Sequence, residues 1–310
     1  MGGSSFSHDD WTRTSSTYSK KSASEIYRAS GLDESIDPSK MKGGIREACD
    51  SDANPNSTPI IIGLDFTGSM RNIPEYMIKS GLGELFKEIY DRKPVTDPQV
   101  LFCGIGDVDA GDPAPFQVGQ FESQCDRLIT GLEKFWLRGC MGGGNDYESY
   151  DLPYYFAANL TKIDSMLKRG KKGFIFTIGD EPPPRTLSKE AIKSVFGFDV
   201  QGDVSFDQLI KQVSKSYIPF HIIMEEGSHP SHYGLNTVLD PWSALLGENA
   251  IVCSDYRKLS EVITSILQVK SGVSKEAVVS SWDGSTGLVV NKAISGLTVA
   301  NNEEDNSLVF

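Results

Sequence analysis

The stretch Thr58-Pro59-Ile60-Ile61-Ile62-Gly63-Leu64-Asp65-Phe66-Thr67-Gly68-Ser69-Met70 decides the fold. Its apolar run, with three consecutive β-branched isoleucines, reads as a strand covered on both faces. The run breaks at Asp65, and side chains carrying oxygen then stand at every second position: Asp65, Thr67 and Ser69. In a sheet of parallel strands, ligands collect outside the carboxyl ends. Three oxygens where a buried strand must end therefore raise the question of what they hold.

Outward from residue 58 the same pattern recurs. Apolar strands are predicted at 58–66, 99–107, 115–121, 173–180, 218–224 and 250–254, and helices at 73–91, 122–137, 149–168, 188–195, 205–215, 235–247 and 256–270. Strands alternating with helix-length segments predict an α/β fold: a doubly wound, Rossmann-like, mostly parallel six-stranded sheet with helices on both faces. Only Val108-Asp109-Ala110-Gly111-Asp112-Pro113-Ala114 joins the second and third strands, too short for a crossover helix. The third strand is therefore expected to run antiparallel at the sheet edge.

The chain divides by composition into a polar arm at 1–57, this domain at 58–271, and an extension with an acidic tail at 272–310. Within the arm, residues 22–30 carry a capping-box spacing and predict a short helix. The 310 residues carry a net charge of −12, which repels phosphate backbones and argues against nucleic acid as a partner. No segment is apolar for the length of a membrane span, and residues 1–11 show neither a basic start nor an apolar core. Five widely spaced cysteines without a CxxC pair read as reduced thiols, so a cytoplasmic setting is expected, or a virion or infected cell if the source is a phage. The basic cluster at 168–173 reads as the last turn of a helix capped by Gly170.

The other predicted strand ends also carry oxygen: Asp107 after the second strand, Asp180 and Glu181 after the fourth, and Asn145, Asp146 and Glu148 in the loop 142–149. None carries cysteine or histidine. Oxygen-only donors suit a hard cation, Mg2+ before Mn2+ or Ca2+.

At this point the sequence resembles a family. Asp65-Phe66-Thr67-Gly68-Ser69-Met70 resembles the D-x-[S/T]-x-S signature of von Willebrand factor A (vWA) domains, which forms the metal-ion-dependent adhesion site (MIDAS). Residues 142–149, GGGNDYES, resemble the second element of bacterial members, and 176–184, FTIGDEPPP, resemble the third as found in the α-kinase-type branch. Residues 104–121 look like the hairpin of that branch. The likeness covers 58–271, and the overall look is that of uncharacterised bacterial and phage vWA proteins. The resemblance implies metal ligands at Asp65, Thr67, Ser69, Asn145 and Asp180. Thr67 stands where the family often has serine, and Asn145 where it has threonine or aspartate, with Asp146 an alternative. Glu148 falls at an acidic position expected to support the site or cap a helix.

The expected function is non-enzymatic: a metal-dependent protein-binding module in which the cation bridges to a partner's acidic side chain. A MoxR-type AAA+ ATPase is one partner implied by the likeness. A Mg2+-dependent hydrolase and a structural phage or assembly component are the alternatives. Against the hydrolase, no nucleophile with an adjacent base is evident, and the histidines lie far along the chain from the metal loops. His229 and His232 read as surface residues, and 107–112 reads as an acidic hairpin turn rather than a calcium loop.

Overall fold

In the computed structural model, residues 29–41, 44–143 and 145–300 are described; the predicted helix at 22–30 and the acidic tail lie almost entirely outside them. Six strands build the central sheet: β1 (Thr58–Asp65), β2 (Pro98–Ile105), β3 (Phe116–Val118), β4 (Gly173–Gly179), β5 (Tyr217–Met224) and β6 (Ala250–Cys253). Their spatial order is β3-β2-β1-β4-β5-β6. All pairs are parallel except β2 with the edge strand β3. The predicted doubly wound sheet with an antiparallel third strand at its edge is thus the observed one.

The unbroken apolar strands sort themselves by the two-residue period of a strand. Ile60, Ile62 and Leu64 of β1 face one core, together with Phe102, Phe176 and Ile222. Ile61 faces the other, with Leu101, Ile175 and Ile223. Each face is then closed by helices. A helix at 73–92, α1, and α9 (Leu259–Lys270) cover the first face, with α10 (Lys275–Ser280) and α11 (Gly284–Ile294) beside them. The intervening helices are α2 (Cys125–Leu132), α3 (Asp151–Asn159), α4 (Asp164–Arg169), α5 (Lys189–Phe196), α6 (Phe206–Val213), α7 (Ser228–Tyr233) and α8 (Asn236–Leu246). Of these, α3, α5, α6 and α8 close the second face.

Three local departures have physical causes. The helix α1 contains a π-turn at Met77–Gly81, and the Ser260 hydroxyl donates to the Gly81 carbonyl at 2.7 Å, satisfying backbone that the wide turn loosens. The helix predicted over 149–168 is two helices, because Thr161–Ile163 pairs in parallel with Arg46–Ala48. Thr161 and Ile163 are β-branched and take the strand when a partner strand is present. The basic cluster behaves as expected: Gly170 closes α4 with φ 65, and Arg169 pairs with Asp50 at 2.5 Å.

The residues before β1 are joined to the sheet. Val118 N donates to Ile36 O at 2.8 Å, and the buried Arg46 donates to Gly119 O at 2.9 Å, so the open edge of β3 is covered. At the other end, Val278, Val290, Ile294 and Leu297 lie in the same core as α1 and α9.

Candidate metal centre

The strand order reverses between β1 and β4. One crossover sequence winds from β1 toward β3 and the other from β4 toward β6. Loops leaving the carboxyl ends at such a reversal turn opposite ways and leave a crevice between them. Asp65 ends β1 and Asp180 follows β4, so both acids stand at its mouth. Both are fully buried.

A continuous chain of hydrogen bonds runs across the crevice. Asp65 Oδ1 accepts from Thr67 N at 2.7 Å and from Thr67 Oγ1 at 2.6 Å. Thr67 Oγ1 lies 3.1 Å from Ser69 Oγ, and Ser69 Oγ donates to Asp180 Oδ1 at 2.7 Å. Four of the five residues singled out by sequence are therefore brought together. Asn145 stands apart from this chain, beside Asp107 and Tyr147.

Tyr150, at the start of α3, ties the loops together. Its hydroxyl donates to Asp65 Oδ2 at 2.6 Å and accepts from Glu181 N at 3.3 Å. It reaches there only because residue 179 is glycine: a Cβ on Gly179 would lie 2.0 Å from the hydroxyl oxygen. Asp180 is similarly crowded, since a Cβ on Gly227 would lie 2.2 Å from its own.

The second loop is fixed by a residue that sequence reading passed over. Asp112, in the supposed hairpin turn, accepts from Asp107 N at 2.7 Å, Met141 N at 2.8 Å and Gly142 N at 3.1 Å. Gly68 N donates to Met141 O at 3.3 Å, which seats that loop on the first. Glu148 lies against Thr67, and its carboxyl would meet a Cβ on Gly142 at 2.7 Å.

The charge balance is one-sided. Among the described residues, neither lysine nor arginine pairs with Asp65, Glu148, Asp180 or Glu181. Burial and the neighbouring Asp180 push the Asp65 carboxyl above the usual range, and burial with Asp65 and Asp107 does the same to Glu148. Burial and Asp180 raise Glu181 to about 8. Asp107 Oδ2, Asn145 Oδ1 and Glu148 Oε2 are buried without a hydrogen-bond partner among the described residues. Buried acids crowded without a cation are costly, and a divalent ion is the usual remedy. The residues thus fit a hard cation chemically. The fit depends on the hydroxyls, because among the described residues no three Asp, Glu, His or Cys side chains could by themselves hold a metal.

The histidines are nearer than chain distance implied. His229 N donates to Asp180 Oδ2 at 3.2 Å, and its Nδ1 contacts Glu181 Oε2. His221 is buried, stacked on Trp242 at 3.7 Å, with Nδ1 bonded to Thr177 Oγ1. Cys49, Cys103, Cys140 and Cys253 are unbridged. A surface pocket lies away from the crevice, between α2 and the sheet edge, lined by Ile36, Phe102, Leu128 and Phe135 among others. No helix among the described residues is long and apolar enough to cross a membrane.

Fold and crevice together describe a doubly wound α/β domain with acidic and hydroxyl side chains gathered at its strand reversal. No family model matches the chain, and no curated protein does. Among solved structures it is similar to the open conformation of the pilus adhesin SpaC from Lactobacillus rhamnosus GG, at 10% identity over 74% of this chain and 31% of that one, TM-score 0.47. It is similar also to a von Willebrand factor type A protein from Catenulispora acidiphila, at 13% identity over 70% of this chain and 43% of that one, TM-score 0.36. The matched region spans less than half the length of either chain.

Proposed function

We propose that the chain is a protein-binding module working through one divalent cation, Mg2+ in the first place and Mn2+ or Ca2+ as substitutes. Asp65, Thr67, Ser69 and Asp180 would hold it. The second loop would contribute through Asn145, whose Oδ1 is one of the buried oxygens without a hydrogen-bond partner among the described residues. When bound, the cation supplies an electrophilic position that a partner's carboxylate can complete. The observation that carries this reading is the hydrogen-bonded run Asp65–Thr67–Ser69–Asp180 across the point of strand reversal.

The chain's own residues do the positioning. Thr67 and Ser69 present neutral hydroxyls, which leave the cation its charge. Tyr150 and Asp112 keep the loops in register. The acids around the crevice repel a carboxylate when no cation is present, so metal and partner should bind with positive, reciprocal coupling.

The arrangement favours binding over hydrolysis. Both metal-loop hydroxyls are bonded to carboxylates or to each other, and His229 turns Nδ1 to Glu181 rather than to a hydroxyl. Among the described residues the hydroxyl bonded to an imidazole is Thr177, on the fully buried His221. A MoxR-type AAA+ ATPase in the cytoplasm is the first partner to try. Partner affinity measured with Mg2+ and with EDTA, in the natural chain and in Thr67→Val, tests the reading. A coupling of about 1–3 kcal/mol, roughly 5- to 150-fold, is expected. Binding indifferent to both EDTA and the substitution overturns it.

A further inference from the structure

Beside the crevice stands a cation of the protein's own. Arg71 follows the first metal loop by two residues and is exposed. Its backbone has φ 54 and ψ −121, a conformation that favours glycine and costs an arginine energy. Its Nε donates to Ser228 Oγ at 3.3 Å, and Ser228 Oγ donates to Ser69 O at 2.8 Å. The guanidinium is therefore held one hydroxyl away from the metal loop. Among the described residues it pairs with no carboxylate, although the surroundings are rich in them. An arginine kept in a strained turn, fixed at Nε and with no hydrogen bond at its terminal nitrogens among the described residues, presents the fork that matches a carboxylate.

Two of the most exposed large apolar side chains flank the same mouth. Met141 is 71% exposed, and its carbonyl accepts from Gly68 of the metal loop. Tyr233 is 70% exposed, and its ring lies 4.9 Å from that of His229, whose amide holds Asp180. Tyrosine, methionine and arginine are the residue types enriched in binding surfaces.

Building on the proposed cation site, we infer that Arg71 is a second acid-reading group, and that the partner is a peptide segment carrying two acidic side chains beside an apolar one. One carboxylate completes the cation and the other pairs with Arg71. Met141 and Tyr233 cover the apolar neighbour.

The test is a yeast-displayed random heptapeptide library sorted against the Mn2+-loaded full chain, with EDTA controls, in parallel for the natural chain, Arg71→Ala and Arg71→Gly. The natural chain should enrich peptides with paired acids at a fixed spacing. Both variants should enrich single acids and bind the resynthesised paired-acid peptide about 5- to 30-fold more weakly. Arg71→Gly should also melt at a higher temperature than Arg71→Ala, because glycine relieves the strained turn. If all three chains enrich the same peptides in an EDTA-sensitive way, Arg71 has no such role, while the cation site stands. If nothing is enriched above the EDTA control, both the cation site and the Arg71 assignment fail.

Discussion

Gly179→Ala isolates the contact that joins the three loops. The added Cβ would lie 2.0 Å from the Tyr150 hydroxyl and 2.5 Å from its ring, far inside contact distance, in a fully buried setting. Tyr150 must move, or β4 must. Moving Tyr150 gives up its bond to Asp65 at 2.6 Å, one of a kind whose loss costs about 1.5–3 kcal/mol. The overpacking adds about 1–3 kcal/mol. A total of about 2.5–6 kcal/mol is expected, a large share of a typical stability of about 5–15 kcal/mol. Tyr150→Phe removes the hydroxyl alone and should cost about 1.5–3 kcal/mol. Because the hydroxyl is the atom that clashes hardest, the double variant should cost at least about 1 kcal/mol less than the two singles combined. Urea unfolding followed by circular dichroism at pH 7.5, without divalent cation, measures all three. A Gly179→Ala loss under about 1 kcal/mol, or strict additivity in the double variant, would refute the reasoning.

Two further outcomes follow from burial and charge. Asp151 and Glu181 are raised, chiefly by burial, to about 7 and about 8, Asp65 is raised by burial and by Asp180, and Glu148 by burial and by Asp65. Groups raised on folding bind more protons when folded, so metal-free stability should fall as pH rises from about 5 to 8, by up to about 1.4 kcal/mol per unit for each group titrating. Urea midpoints across that range check the sign; Mg2+ should stabilise more at pH 8 than at pH 5, and a metal-free midpoint that climbs with pH contradicts it. A chain ending at Ser271 loses Val278, Val290, Ile294 and Leu297 from the core and Trp282 from beneath Arg92, 3.3 Å above its ring. Four aliphatic side chains at about 1.5–3 kcal/mol each rival the whole stability. No cooperative thermal transition is expected, and a melt within a few degrees of the full chain would argue the extension is dispensable.

Much of this was legible in the sequence because it is written locally. An apolar run ending in Asp65, Thr67 and Ser69 specifies a buried strand and its loop without reference to anything distant. The short link at 108–114 leaves β3 no direction but antiparallel. The strand order was not legible, since any parallel neighbour satisfies the same apolar pattern; the reversal between β1 and β4 is a property of the whole sheet. Tyr150, Asp112 and His229 were missed or undervalued for a related reason. Their bonds to Asp65, Gly142 and Asp180 span 85, 30 and 49 residues. The one signal for Tyr150 was its place among aromatics just after the second loop. Asn145 was read from its position in a motif, and it lies beside Asp107, outside the hydrogen-bonded run from Asp65 to Asp180. Thr161–Ile163 became a strand because Arg46–Ala48 offers a partner that no window around it could reveal.

The most direct test of the account is a Mn2+ titration of the purified chain by isothermal calorimetry at pH 7.5, competed with Mg2+ and repeated on Asp65→Ala and Asp180→Ala, with circular dichroism to show that each variant stays folded. The account predicts one site in the natural chain, displaced by Mg2+ and lost in both variants. Undiminished binding in folded Asp65→Ala and Asp180→Ala, or no binding in the natural chain, would contradict it.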